Sequence, residues 1–209
     1  MTDPVAAAYD GVAEVYASLF LRDLADDADA QPWFEAFVEL VDPDAGPVVD
    51  VGCGPGHGVA ALAEAGVRAF GIDLSAGQLE QARAAFPDGD YRIGDLAGLD
   101  AADGSLAGIF SRCSIIHVPP DELSAVFAEW ARALAPGAPA LVSFFATATA
   151  AAHGSPFDHK VTTAYAWSPE RVADLLAEAG FVDVRCGAAP PAAGGRPFDK
   201  GSVLARRSS

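Results

Sequence analysis

The sequence predicts an α/β domain built on a doubly wound, largely parallel sheet, and three observations carry that prediction. Short apolar runs of strand length alternate with longer stretches of helical periodicity from Val48 onward. The first run, Val48 to Val51, passes into four alternating glycines, Gly52, Gly54, Gly56 and Gly58, and then into a stretch, Val59 to Ala65, that suits a helix. The second run, Arg68 to Ile72, stops at Asp73, 21 residues after Gly52. At that distance a strand-end carboxylate in a doubly wound sheet meets ribose hydroxyls.

Ahead of this unit, Tyr9, Val12, Tyr16, Leu19 and Phe20 fall on a helical stripe between Pro4 and Phe20. Residues 22–32 are acidic, end in proline and read as an exposed connection, after which Trp33, Phe37, Leu40 and Val41 form a second helical stripe. Pro43, Gly46 and Pro47 stop it. Gly66 ends the helix that follows the glycine loop. Ser75-Ala76-Gly77-Gln78 has the pattern of a capping box and starts a helix through Ala85. Tyr91 to Gly94 reads as the third strand and Leu106 to Ser111 as the fourth. Leu123, Phe127, Trp130 and Leu134 recur at helical spacing, and Ala140 to Phe145 is an apolar fifth strand. Ser168-Pro169 opens the last helix as N-cap and first helical residue, and Gly180 closes it. Phe181 to Arg185 and Ser202 to Arg206 complete the strands.

The 209 residues suit one domain with a sizeable core, and 51% hydrophobic residues argue against disorder. Twenty-nine acids against 13 bases leave a net charge of −16, which repels a polyanion, so no nucleic-acid partner is expected. Cys53, Cys113 and Cys186 form no C-x-x-C pair, which suits neither a disulfide framework nor a zinc site. A cytoplasmic protein is expected, with no signal peptide, no membrane span, no metal, and a monomeric or homodimeric state.

The glycine spacing separates two kinds of nucleotide loop. A dinucleotide fingerprint, G-x-G-x-x-G, needs glycine where this chain has His57 or Val59, so a nicotinamide oxidoreductase is disfavoured. What is present is D-x-G-x-G-x-G, from Asp50 to Gly56. This pattern resembles motif I of the class I S-adenosylmethionine-dependent methyltransferases, and W-S-P-E-R-V-A-D-L-L-A-E-A-G-F from Trp167 is similar to the closing helix of small, actinobacterial-type members. The resemblance spans about Val48 to Arg206. It implies a Rossmann-like doubly wound seven-stranded sheet with a final antiparallel strand, in a single domain of residues 1–209. Residues 1–46 would be N-terminal cap helices and 47–209 the core.

It also implies S-adenosyl-L-methionine as cofactor, with S-adenosyl-L-homocysteine as product. By that resemblance the loop residues Asp50, Gly52, Cys53, Gly54 and Gly56 pass under the amino-acid part of the cofactor. Asp73 with Leu74 holds the ribose, and Asp95 with Leu96 reads the adenine. Three carboxylates at successive strand tips are more specific than any one of them.

His117, after the fourth strand, is the candidate general base, because its ordinary pKa suits proton acceptance near neutrality. Loop support is the equal alternative. Pro119-Pro120 is flanked by Val118 and Asp121 and so lacks the signature used on exocyclic base amines, and no acid cluster for magnesium is present. Residues 147–167 break the strand and helix patterns where a lid or substrate loop would lie. His153 and His159 there, with Tyr9 and Tyr16 of the cap, are candidate contacts to a small-molecule acceptor, although at least one tyrosine is expected in the core. The expected reaction is methyl transfer to an oxygen or nitrogen of that acceptor by in-line displacement. The alternative is a non-catalytic cofactor-binding or regulatory partner.

Overall fold

A computed structural model of the chain describes residues 3–20, 24, 27–147, 154–191 and 198–209, so His153 lies outside the described residues. The described strands, in chain order, are β1 (Val48–Val51), β2 (Ala69–Asp73), β3 (Tyr91–Ile93), β4 (Gly108–Arg112), β5 (Pro139–Ala146), β6 (Ser155–Asp158), β7 (Thr163–Ala166), β8 (Phe181–Ala189) and β9 (Asp199–Arg207). The helices are α1 (Pro4–Asp10), α2 (Ala13–Phe20), α3 (Gln31–Leu40), α4 (His57–Glu64), α5 (Ala76–Ala85), α6 (Leu123–Ala133) and α7 (Pro169–Glu178), with a 3₁₀ turn at Ile115–His117.

Seven strands form one sheet in the order β3-β2-β1-β4-β5-β9-β8. The pairs from β3 through β5 are parallel, and β9 runs antiparallel to both β5 and β8. This is the α/β Rossmann-like sheet with a final antiparallel strand. The chain leaves β1 on the β2 side and later returns on the other side as β4, so the carboxyl ends of β1 and β4 flank a topological switch point, where such sheets bind ligands.

Alternation along β1 decides which helix covers which side chain. Val49 and Val51 face a core cluster with Phe127 and Trp130 of α6 and Leu176 of α7. Val48 joins a second cluster with Phe34 and Phe37 of α3, Leu62 of α4 and Leu141. Two layers of helix therefore sandwich the sheet, and α3 is part of the core rather than an external cap. By contrast α1 and α2 lie against α5. Asp10 pins them there: its Oδ1 accepts from the Ser75 hydroxyl at 2.6 Å and from the Gly77 amide at 2.9 Å, over a glycine that leaves room for it.

Several local expectations change. The Pro4–Phe20 stripe is two helices, with a turn at residues 11 and 12 between them. The fourth strand starts two residues later than its apolar pattern suggests and ends on Arg112, because Leu106 bridges to Leu134 instead. Residues 155–166 close a β6–β7 hairpin, whose turn holds Lys160 at φ 77°. Finally, the acidic connection is not uniformly exposed, because Asp27 is 6% exposed. Its carboxylate accepts from Arg112 at 2.8 Å and from Lys200 at 2.9 Å, an ion pair that no local pattern announces.

Candidate active site

The carboxyl ends of β1, β2 and β4 and the loop after β3 open onto one cleft. Gly52, Gly54, Asp73, Leu74, Asp95 and Leu96 all line it. Gly52, Gly54 and Gly56 have φ of 69°, 51° and 88°, in the left-handed region that a side chain disfavours. Ser114 presses against the α-carbon of Gly52, so a Cβ there would collide with it. Asp73 Oδ2 accepts from the Gly54 amide at 2.9 Å and Oδ1 from the Ser75 amide at 2.9 Å. This carboxylate therefore ties the glycine loop to the start of α5 while presenting its remaining lone pairs to the cleft. Burial raises its pKa, and the Ser75 and Gly54 amides oppose the rise. Asp95 folds back on its own loop to accept from the Ala97 amide at 2.8 Å, and Trp130 Nε1 donates to the Leu96 carbonyl at 2.9 Å, anchoring that loop from α6.

Three expected cofactor residues stand behind the cleft rather than on its wall. The alternation of β1 turns Asp50 away from α6 and under the first turn of α4. There it accepts from the Val59 amide and lies against Gly58. Helix α4 has no side-chain cap at Gly56, so Asp50 supplies the acceptor from below. Full burial, with Asp73 nearby as a lesser cause, pushes its pKa up to about 8. Cys53 is buried against Gly71, and burial raises its thiol pKa well above the ordinary range. Gly56 faces the ring of Tyr91. These three residues shape the loop.

One residue on the cleft wall went unrecognised. Gln78 is half of the expected capping box: its amide nitrogen donates to the Ser75 hydroxyl at 3.1 Å. Its side chain does not reach back, because the Ser75 amide is already bonded to Asp73. Instead the Gln78 carboxamide is 1% exposed on the cleft wall, with neither Oε1 nor Nε2 bonded among the described residues. An unsatisfied buried amide is costly to leave without a partner.

Tyr9 and Tyr16 both line the cleft, so the expectation that one of them is core does not hold. The Tyr9 hydroxyl lies 2.8 Å from His117 Nε2, and His117 Nδ1 lies 2.9 Å from the Thr163 carbonyl of β7. A carbonyl only accepts, so Nδ1 carries the proton and Nε2 of the neutral ring accepts from Tyr9. Burial lowers the His117 pKa, with the Thr163 bond opposing, which favours that neutral form.

Beyond Tyr16, Arg112 and Cys113 the cleft meets a second, larger chamber, about 760 Å³ against about 210 Å³, and these three residues line both. Cys113 holds φ 54° at that junction, an uncommon conformation for a side-chain-bearing residue and one that clusters at functional sites. His159 lines the second chamber, as does His57 from the start of α4. Among the described residues no group of three or more His, Cys, Asp and Glu is placed to hold a metal ion, and no helix is long and apolar enough to cross a membrane.

Comparison with known proteins agrees with this architecture. Residues 48–137 match a family described as a methyltransferase domain. A demethylmenaquinone methyltransferase from Renibacterium salmoninarum is 30% identical over 148 residues, covering 70% of this chain and 61% of the relative. A malonyl-[acyl-carrier protein] O-methyltransferase from Yersinia pestis is 33% identical over 99 residues, covering 47% of this chain and 36% of the relative. The chain thus spans less than two thirds of the length of these curated relatives. Among solved structures, the 1,6-didemethyltoxoflavin-N1-methyltransferase of Burkholderia thailandensis, with its substrate and S-adenosylhomocysteine, superposes with a TM-score of 0.71 at 21% identity. That match covers 98% of this chain and 89% of that one. The match to the methyltransferase-domain family is confined to residues 48–137, and the fold is that of the class I S-adenosylmethionine-dependent methyltransferases.

Proposed function

We propose that the protein transfers the methyl group of S-adenosylmethionine to an oxygen or nitrogen of a small molecule. The observation that carries this reading is the pair of cavities that share Tyr16, Arg112 and Cys113, one built for a nucleoside and the other large enough for an acceptor. The residues present fit the cofactor. Left-handed glycines allow close backbone approach, Asp73 and Asp95 face the cleft, and Gln78 holds an unbonded carboxamide on its wall. When bound, S-adenosylmethionine supplies a methyl carbon already activated on a sulfonium, so the chain need only hold the acceptor in line and exclude water. The faces of Tyr9 and Tyr16 suit a cationic centre. A net charge of −16 favours a small acceptor over a nucleic acid.

In this reading His117 is the base, and it acts through Tyr9. The acceptor proton passes to the Tyr9 oxygen as the Tyr9 proton moves to Nε2, while the Thr163 carbonyl holds Nδ1–H and steadies the imidazolium. Tyr9→Phe is expected to lower kcat by about 10²–10⁴ and leave the Kd for S-adenosylhomocysteine within threefold. The base works only as neutral imidazole. Because burial depresses its pKa from 6.5, the acid limb of kcat/KM is expected below pH 6.5, with a plateau through neutrality. A limb centred above 6.5, or unchanged turnover in Tyr9→Phe, would remove His117 and Tyr9 from proton transfer.

Gln78→Met keeps the volume and removes the amide. It is expected to raise the melting temperature of the free protein, since a buried unsatisfied group is lost, and to weaken S-adenosylhomocysteine binding by about tenfold. Opposite signs in calorimetry and titration identify a ligand-binding amide, and a parallel loss in both would make it structural. The whole assignment is tested by isothermal titration with S-adenosylmethionine and S-adenosylhomocysteine, together with transfer of labelled methyl to acceptors. Cofactor binding without transfer to any acceptor would leave a regulatory partner in place of an enzyme.

A further inference from the structure

The second chamber carries its own chemical signature. A band of rings, contributed by elements far apart in sequence, runs from the cofactor cleft along its wall. Tyr16 meets Tyr9 at 5.4 Å between ring centroids, Tyr9 meets His117 at 5.4 Å, and His117 meets His159 at 5.3 Å. His159 meets Phe145 at 5.8 Å, and Phe145 meets Phe198 at 5.9 Å. Of these rings, Tyr16, His159, Phe145 and Phe198 line the chamber itself. Trp33 lines it as well, its indole lying against the α-carbon of Gly187, where a Cβ would be 3.2 Å from the ring.

The charged groups of the chamber among the described residues are engaged with one another. Besides its two histidines, the described side chains on the wall that carry a charge near neutrality are Asp27, Asp29, Arg112 and Lys200. Asp27 bridges Arg112 and Lys200 at 2.8 Å and 2.9 Å, and Asp29 lies 3.9 Å from Lys200. Among the described residues these two acids and two bases pair with one another. A charged group that drew Asp27 or Arg112 away from the other would break a largely buried ion pair, which is strongly unfavourable. A flat ring meets no such barrier, and edge-to-face contacts with aromatic side chains add about 0.5–1.5 kcal/mol each beyond the buried area. A chamber of about 760 Å³ also sits in the size range that encloses a drug-sized molecule rather than a two-carbon amine.

The geometry points to an acceptor that is a flat, uncharged aromatic or heteroaromatic ring system, bearing a hydroxyl or ring N–H on the edge that meets Tyr9. This deepens the methyl-transfer reading and rests on it. In the reaction the ring O–H or N–H bond breaks as the O–CH3 or N–CH3 bond forms. The S–CH3 electron pair stays on sulfur, giving a neutral thioether, and the proton leaves by way of Tyr9 to His117.

The test is isothermal titration of the full chain, with and without saturating S-adenosylhomocysteine, using 2-naphthol and 4-hydroxyquinoline against phosphoethanolamine and octanoate. Methyl transfer from labelled cofactor to the same four compounds is counted in parallel. At least one ring compound is expected to bind tenfold or more tighter than both charged aliphatic probes and to accept methyl. Phe145→Ala is expected to weaken ring binding at least tenfold, with the Kd for S-adenosylhomocysteine within twofold. Phe198→Leu, a milder change that removes a ring and keeps bulk, gives the same direction if Phe145→Ala does not fold. With cofactor binding intact, equal or tighter binding of the aliphatic probes, or binding of none of the four, overturns the acceptor class and leaves methyl transfer standing. So does ring affinity that is indifferent to the folded aromatic variants. Failure of the wild-type chain to bind S-adenosylhomocysteine at all overturns both.

Discussion

Asp73→Ala is expected to weaken S-adenosylhomocysteine binding at least a hundredfold in isothermal titration, while the folded chain survives with a modestly lower melting temperature. The magnitude follows from what the carboxylate does at the end of β2. Its two oxygens already hold the Gly54 and Ser75 amides at 2.9 Å, so its orientation toward the cleft is fixed before any ligand arrives. Two ribose hydroxyls donating to its remaining lone pairs would make charge-assisted bonds of about 1.5–3 kcal/mol each, and their sum exceeds the roughly 2.7 kcal/mol of a hundredfold change. Asp73→Asn keeps an acceptor for Gly54 or Ser75 and gives up the charge, so it should fall between alanine and wild type. Were Asp73→Ala to bind S-adenosylhomocysteine as tightly as the parent, the nucleoside would have to lie elsewhere.

The second large effect belongs to Asp50 and is a matter of stability with pH. Its carboxyl is 3% exposed and its pKa is raised from 3.8 to about 8, first by burial and then by Asp73. Between those values the folded state keeps a proton that the unfolded state has released. The stabilisation from this group is complete below about pH 4 and is lost as pH rises toward 8, by about 1.4 kcal/mol per unit. Over the whole window the loss is on the order of 5 kcal/mol. Asp50→Asn retains an oxygen for the Val59 amide and cannot ionise, so its unfolding free energy relative to wild type should climb steadily from pH 5 to pH 8 and then level. Urea titrations at half-unit steps measure the difference directly. Subtracting the variant also removes opposite trends from Asp27, whose pKa is lowered by Lys200 and Arg112 against its desolvation. A difference that stays flat across that range would mean that Asp50 is ionised in the folded protein.

How far the site could be read in advance depends on whether a residue's role is local. Gly52 and Gly54, the strand-end Asp73 and the loop pair Asp95 and Leu96 take their positions from the few residues around them, and each stands on the cleft, as the glycine and Asp73 spacing and, for Asp95 and Leu96, the family resemblance suggest. Asp50 belongs to the same motif but sits on a strand, where one residue of alternation decides between cleft and core. What covers that face is α4, brought over by the loop itself. Gln78 failed for a related reason: the capping-box pattern assigns its side chain to Ser75, yet Asp73 had already taken the Ser75 amide. Asp27 looked like one more solvated acid, because its partners lie 85 and 173 residues away.

The chain's own pattern was enough to indicate the doubly wound sheet, the position of the glycine loop and Asp73 at its mouth. Short apolar runs, turn residues and fixed spacings act over a handful of bonds, and backbone sterics translate them almost without choice. Folding in three dimensions decided the rest. The Tyr9–His117 bond, the ion cluster around Asp27 and the aromatic band of the second chamber each join elements that are remote along the chain. Those contacts exist because the fold gathers α1, the end of β4, the β6–β7 hairpin and the start of β9 at the carboxyl end of the parallel strands, and no local rule contains that arrangement.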